Sequence, residues 1–331
     1  KVSINLLIYK RKILLRRVCN FTQNIMSEKI NNLDNKTKGL IYILIFGLFL
    51  AITNTLLKSA GHIPVAEKTV YRNGICAIAG FIAVAKAYGF KDKSRYFGNK
   101  QNILGLSIRT ICGILGITAN LYALQYLILS TASVLQDLSV FFVVIFSFIF
   151  LREKIRLWQI ILICVGFLGA LVVINPTSVK FAIAPALAAI FGAAMNGGDA
   201  VSMRFLGKKA SPSTVVFFYN FVSAIILTPF MLMDYKVLSL HTTIFLILAG
   251  LCYIVVEFAM VSAYKYAPGR EIAIFSYVDV VFSAALGFIV FGTFPKVTAI
   301  IGYVIIIAAA ILLVLYNFKI KENTSNQKHT A

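Results

Sequence analysis

Apolar blocks of about 20 residues recur along the chain from Gly39 onward, and each is long enough to cross a ~30 Å hydrocarbon core as a helix. Inside lipid no water satisfies the backbone, so only helices or closed barrels are open to such a chain. The ten-residue alternation of a barrel strand is absent, which leaves helices. The blocks fall at 39–58, 68–88, 102–126, 131–151, 156–175, 183–204, 212–233, 243–265, 270–292 and 297–318, a total of ten expected spans. Composition agrees: 60% of the 331 residues are apolar and 13% charged, too little polar surface to cover a water-soluble globule. An ordinary cytosolic enzyme, a nucleic-acid-binding module and a disordered chain are excluded on that ground.

The net charge of +20 would by itself point to an anionic partner. Its distribution gives another meaning. With both termini inside, inner segments hold 25 of the 32 Lys and Arg, outer loops hold five (Lys58, Lys68, Lys180, Lys236 and Lys296), and Arg72 and Arg109 lie within spans. Adding or removing one span would invert the later loops and spoil this asymmetry. The expectation is an all-α integral membrane protein of ten helices, N-in and C-in, with the charge setting topology rather than binding nucleic acid.

Residues 1–38 form a basic cytoplasmic tail. The stretch 1–25, ahead of Met26-Ser27-Glu28, reads as a translated upstream extension. It is no secretory signal, because charges break the short apolar runs around Leu6 and Leu14 and no small-residue cleavage site follows. Residues 319–331 form a second cytoplasmic tail.

A shift of 140 residues superimposes the two halves without a gap from Gln125 onward. Tyr126 meets Tyr266, Phe142 meets Phe282, Phe148-Ile149 meets Phe288-Ile289, and the break at Arg152-Glu153 falls on Gly292-Thr293. Five spans per half is an odd number, so the halves 39–176 and 183–318 enter the membrane upside down relative to one another. Inverted repeats around a central cavity are the pattern of secondary transporters, with the solute site between the halves.

The residues also resemble a known family. Ala-Leu-Gln-Tyr-Leu from Ala123, Ser-Thr-Ala-Ser from Ser130, Phe-Leu-Arg-Glu-Lys from Phe150 and Gly-Phe-Leu-Gly-Ala from Gly166 are similar to the first EamA repeat of the drug/metabolite transporter superfamily. Tyr-Lys-Tyr-Ala-Pro-Gly from Tyr264 and Leu-Gly-Phe-Ile-Val-Phe-Gly from Leu286 resemble the second. The resemblance implies a ten-helix basket carrying amino acids, nucleosides, sugar phosphates, S-adenosylmethionine or drugs. Two departures stand out. Thr293 replaces the Glu that usually follows Phe-Gly, which changes a helix-end contact, and Val140 stands where the first repeat often has Pro.

Ionisable groups inside spans are costly and tend to be functional. At 1.5 Å per helical residue, Arg72 and Asp137 lie about 6 and 9 Å below the outer ends of their spans, and Arg109 and Asp199 about 10 and 8 Å from the inner ends. Glu257 and Asp279, at about 12 and 14 Å from the inner ends, approach the midplane. Depth predicts an outer pair, Arg72 with Asp137, and an inner set, Arg109 with Asp199 or Glu257. These read either as structural glue and gates that neutralise one another or as solute contacts.

Glu257 and Asp279, together in a cavity, would suit proton coupling or a cationic solute group, and Arg109 a carboxylate or phosphate. Tyr122, Tyr253 and Tyr277 are further candidates, Tyr253 one turn from Glu257; their alternative is interfacial or core packing. Asn196, before Gly197-Gly198, interrupts its span as a hinge or ligand approach, or marks close helix packing; Asn54 and Asn120 are weaker cases. Trp158 reads as an interfacial anchor.

No metal, cofactor or disulfide is expected, because Cys and His are scattered. A membrane-embedded enzyme would need a motif such as H-E-x-x-H, and a pump a phosphate-cradling loop; neither occurs. A channel or scaffold would need no repeat and no buried acids. The leading expectation is a secondary active carrier of a small polar organic solute, with a proton or counter-solute as partner. Proton-coupled efflux of drugs or metabolites is the alternative.

Overall fold

The computed structural model describes residues 35–90, 94–151, 156–174, 183–206, 210–235, 237–266 and 278–329. Residues 1–34, Tyr277 and the breaks at Arg152-Glu153-Lys154 and Asn175-Pro176 lie outside them. The described residues are helical throughout, without strands. In chain order the helices are α1 (Asn35–Ser59), α2 (Val65–Tyr88), the single turn α3 (Ser94–Phe97), α4 (Ile103–Tyr126), α5 (Leu129–Asp137) and α6 (Ser139–Leu151). There follow α7 (Leu157–Ile174), α8 (Ile183–Leu206), α9 (Pro212–Met233), α10 (Leu240–Tyr266), α11 (Val278–Phe291) and α12 (Val297–His329).

Among the described residues, six segments are long and apolar enough to cross a membrane: Lys38–Ser59, Val65–Tyr88, Ile103–Tyr126, Leu129–Phe150, Pro212–Met233 and Leu240–Ala263. Leu157–Val173, Asp279–Phe291 and Val297–Leu313 are shorter apolar stretches. Every expected span overlaps one of the helices, with three differences of detail. The span 131–151 is two helices, because Leu138 tightens into a turn and donates to the Leu135 carbonyl at 3.3 Å. Asn196-Gly197-Gly198 does not interrupt α8. The helix also continues from 319 to His329 where a tail was expected, since Lys, Glu, Asn and Gln remain compatible with helical backbone once the apolar stretch ends.

Helix ends are closed by local chemistry. Ser211 caps α9, accepting from the Thr214 amide at 3.2 Å, with Pro212 in the first turn where its missing N–H costs nothing. Two of the five lysines expected in outer loops, Lys58 and Lys68, turn inward to serve as caps. Buried Lys68 donates to the Leu57 carbonyl at 2.8 Å in the last turn of α1, and Lys58 donates to the Leu127 carbonyl at the end of α4. Gly292, at φ 61°, ends α11 in the left-handed region. Thr293 then folds back, its amide and Oγ1 donating to the Gly287 carbonyl at 3.2 and 3.1 Å.

Packing pairs the helices across the two halves. α1 lies on α10 and α4 on α8; α2 lies on α9 and α7 on α12; α11 packs on α1, and α6 on α8. Exchanging α1 with α8, α2 with α9, α4 with α10, α5–α6 with α11 and α7 with α12 maps this set of partners onto itself. Glycines permit the closest approaches. A β-carbon on Gly80 of α2 would lie 2.9 Å from the Phe217 Cα of α9, and one on Gly302 of α12 would lie 2.8 Å from the Gly169 carbonyl oxygen of α7.

Candidate functional site

Seven helices bring polar side chains into the interior at two places. The first is centred on Arg109 of α4, which is 1% exposed. Its Nε donates to Asp199 Oδ1 of α8 at 3.2 Å, its Nη2 to Glu257 Oε2 of α10 at 3.1 Å, and its Nη1 to the Val215 carbonyl of α9 at 3.2 Å. The Tyr219 ring lies 5.0 Å from the guanidinium. Tyr253, one turn before Glu257, donates its hydroxyl to Glu257 Oε1 at 2.6 Å, so both carboxylate oxygens are engaged. Depth predicted Asp199 or Glu257 as the partner of Arg109; the guanidinium fork takes both.

Arg72 of α2, also buried, joins this group: its guanidinium lies 3.7 Å from the Tyr253 ring centroid. Its Nε donates to Asn73 Oδ1 at 3.0 Å, and Asn73 Nδ2 donates in turn to Ser223 Oγ at 2.7 Å. Nη2 has no hydrogen-bond partner among the described residues. The expected pairing of Arg72 with Asp137 is therefore not formed. Similar depth set no lateral position, and the face of α2 that carries Arg72 looks toward α10 rather than α5.

The second place is the crossing of α5 and α11. Asp137, the last residue of α5, and Asp279, in the first turn of α11, are neighbours there. One turn away Ser133 and Ser283 hydrogen-bond at 2.8 Å. Glu257 and Asp279, expected together, are instead separated into these two clusters, each acid taking the neighbour its own helix face presents. Next to the crossing is an enclosed cavity of about 20 Å³ lined by Asn54, Asn120, Ser133 and Gln136 among others, room for one water.

The remaining candidates lie apart. Tyr122 is 38% exposed and packs its ring 5.1 Å from Tyr126, away from Arg109. Asn196 faces Gly116, where its Oδ1 would lie 2.5 Å from an added β-carbon, while Asn120 packs on Gly192 in the same way. Gly197 and Gly198 receive Phe142 and Cys112. Here α4 and α6 pack closely on α8. Trp158 is exposed in the first turn of α7, as an anchor would be. Tyr219, Asn73, Ser223 and Ser283 were missed; amides and hydroxyls inside apolar spans were the available signal, but they are cheaper than charges and more common.

A model of the EamA-like transporter family matches residues 37–175 and 183–315. The chain belongs to the EamA-like transporter family. This EamA-like protein is 26% identical over 287 residues to the pseudopaline exporter CntI of Pseudomonas aeruginosa, covering 85% of this chain and 97% of that one. It is 25% identical over 294 residues to the riboflavin transporter of Vibrio cholerae, covering 85% and 94%. The S-adenosylmethionine uptake transporter of Rickettsia bellii is 26% identical over 215 residues, covering 64% and 72%. A solved crystal structure at 17% identity superposes with a TM-score of 0.60 over 85% of this chain and 98% of that one, a likeness of fold. The EamA-like chain is a multi-pass membrane transporter, not an enzyme.

Proposed function

We propose that this EamA-like protein is a secondary active carrier of a small polar organic metabolite, of amino-acid, nucleoside or S-adenosylmethionine-like chemistry, working by alternating access in the inner (plasma) membrane. The observation that carries the reading is the buried Arg109 cluster. One guanidinium from the first half holds two carboxylates from the second, a lock that must loosen whenever the halves part. The exchange symmetry of helix partners, together with the 140-residue shift, supports ten spans in two inverted five-helix halves, N-in and C-in.

In this reading a solute that enters competes for the lock. Its anionic group meets Arg109 and the free Nη2 of Arg72; a cationic or hydroxyl group meets Glu257, Asp199 and Tyr253. Efflux is the second reading, favoured by the pseudopaline exporter, to which the likeness runs over 97% of its length.

The test is uptake into proteoliposomes, with solutes chosen by a thermal-shift screen of metabolites on the purified protein, since a ligand of the native form raises its apparent stability. Saturable movement that depends on a gradient is expected, with Glu257→Gln reducing it at least tenfold while membrane insertion stays normal. Non-saturating flux, or full activity in Glu257→Gln, would overturn the reading.

A further inference from the structure

A groove of about 550 Å³ runs between α2 and α9, apart from the Arg109 group and from the α5–α11 crossing. One wall is the face of α9 that carries Phe217, Phe221, Ala224, Ile225 and Thr228; the other is the face of α2 that carries Gly74, Ala77, Ile78 and Phe81. From Phe217 to Thr228 the helix rises about 16 Å, half of the ~30 Å hydrocarbon core. The groove therefore has the depth of one lipid leaflet. Small residues open it: an added β-carbon on Gly74 would meet nothing within 4 Å, while Ile78, Phe81 and Ile225 stand exposed along its edges.

Hydrocarbon is what the walls can take. The two hydroxyls among the lining residues are already engaged, Thr228 donating to the Ala224 carbonyl at 2.7 Å and Tyr96 to the Gly89 carbonyl at 2.8 Å. A polar occupant would lose its water and gain little in return.

One end of the groove is closed by aromatic rings and carries positive charge. Tyr96 and Phe97 of α3 set their rings 5.8 and 6.0 Å from that of Phe217, and Thr214 Oγ1 donates to the Arg95 carbonyl at 2.6 Å, which ties α3 to the first turn of α9. Lys86, Arg95 and Lys100 are exposed and lie within five residues of the lining residues Phe81, Tyr96 and Phe97. The Arg95 guanidinium rests 4.8 Å from the Tyr88 ring. From 82 to 103 the sequence holds five basic residues against one acid, so the charge at this end is net positive.

We infer that the groove binds an anionic phospholipid, with one acyl chain between α2 and α9 and the headgroup phosphate at Lys86, Arg95 and Lys100. Apolar depth of one leaflet ending in a cluster of cations matches the two parts of such a lipid, and basic recesses between membrane helices are suited to anionic headgroups. Charge argues against other occupants. A second copy related by a twofold axis along the membrane normal would set two basic rims side by side. Residues 1–34 of this chain carry seven basic residues and two acids, the same sign as the rim. Because α2 and α9 belong to the two family-matched segments, 37–175 and 183–315, the lipid contacts both. The inference needs only the membrane setting and is independent of the carrier cycle.

Native mass spectra and thermal melts of the purified protein in neutral detergent test it, with dioleoylphosphatidylglycerol or dioleoylphosphatidylcholine added. Phosphatidylglycerol is expected to be retained at one molecule per chain, to bind at least tenfold more tightly than phosphatidylcholine, and to raise Tm accordingly. Gly74→Leu fills the groove from a position with open space around it, so it should lose either lipid while its circular dichroism stays unchanged. The triple variant Lys86→Gln/Arg95→Gln/Lys100→Gln leaves the groove open and should bring phosphatidylglycerol down to the level of phosphatidylcholine, each neutralised residue costing about fivefold. Equal binding of the two lipids by the wild type, or undiminished phosphatidylglycerol binding in both variants, would overturn the inference. A Tm rise of the same size with inorganic phosphate would do so too, by showing an ion at the rim and no acyl chain. A wild-type dimer that Gly74→Leu separates would give the groove to a second copy instead.

Discussion

Arg109 shows what a buried ion costs and what it requires. Its guanidinium is satisfied on all three nitrogens by groups from three other helices, so the desolvation of the cation is offset only by that complete set. Arg109→Gln would leave Asp199 and Glu257 buried without their cation, at a cost of about 3–5 kcal/mol. The melting temperature in detergent should fall by roughly 10 °C. Adding Asp199→Asn and Glu257→Gln removes the stranded charges and should recover most of that loss. A triple variant no more stable than the single one would show that packing, not charge, sets the cost. Tyr253 has two roles at this scale, donating to Glu257 by its hydroxyl and supporting Arg72 by its ring, which ties the two arginines into one group.

At the scale of elements, glycines decide how near helices come. In lipid there is no hydrophobic force between helices, so association rests on close packing and interhelical hydrogen bonds. Gly302 of α12 sits where a β-carbon would lie 2.8 Å from the Gly169 carbonyl and 2.9 Å from the Val173 amide nitrogen of α7, both backbone atoms that cannot rotate aside. Gly74 of α2 has nothing within 4 Å of its added β-carbon. Gly302→Ala should therefore destabilise by about 1–3 kcal/mol through overpacking. Gly74→Ala should be neutral or stabilise by about 1 kcal/mol through helix propensity. Thermal melts of the two variants side by side check this; equal effects would contradict the backbone contact.

For the whole molecule, the α2–α9 contact joins the halves, with an added Gly80 β-carbon 3.1 Å from Phe217 Cβ. Cysteines at both positions, in a background without the native ones, come within disulfide reach once the smaller side chain relieves the contact. If transport requires the halves to part here, oxidation of Gly80→Cys/Phe217→Cys should stop it and reductant should restore it. Transport that continues in the crosslinked protein would place the motion elsewhere.

Helix placement was legible in the sequence because burial in lipid is a one-dimensional property: a stretch either is or is not apolar for about 20 residues. Most buried charges were legible too, since each stands out against its span, although Glu67 and Lys68, at the start of α2, are also buried and were not among those expected; so was the pairing of Arg109 with acids of the second half. Which charge meets which was a different matter. Depth along the axis predicted Arg72 with Asp137 and Glu257 with Asp279, whereas the lateral order of helices set Arg72 on Tyr253 and Asp137 against Asp279. Asn196-Gly197-Gly198 looked like an interruption and is a packing surface, because the neighbour that fills a glycine's space is invisible until α4 and α8 are side by side. Sequence alone thus determined the solvent, the elements and the cost of each buried charge, all of which depend on local composition. The partners were decided only by tertiary structure, since contact between residues far apart in the chain depends on how helices turn their faces toward one another.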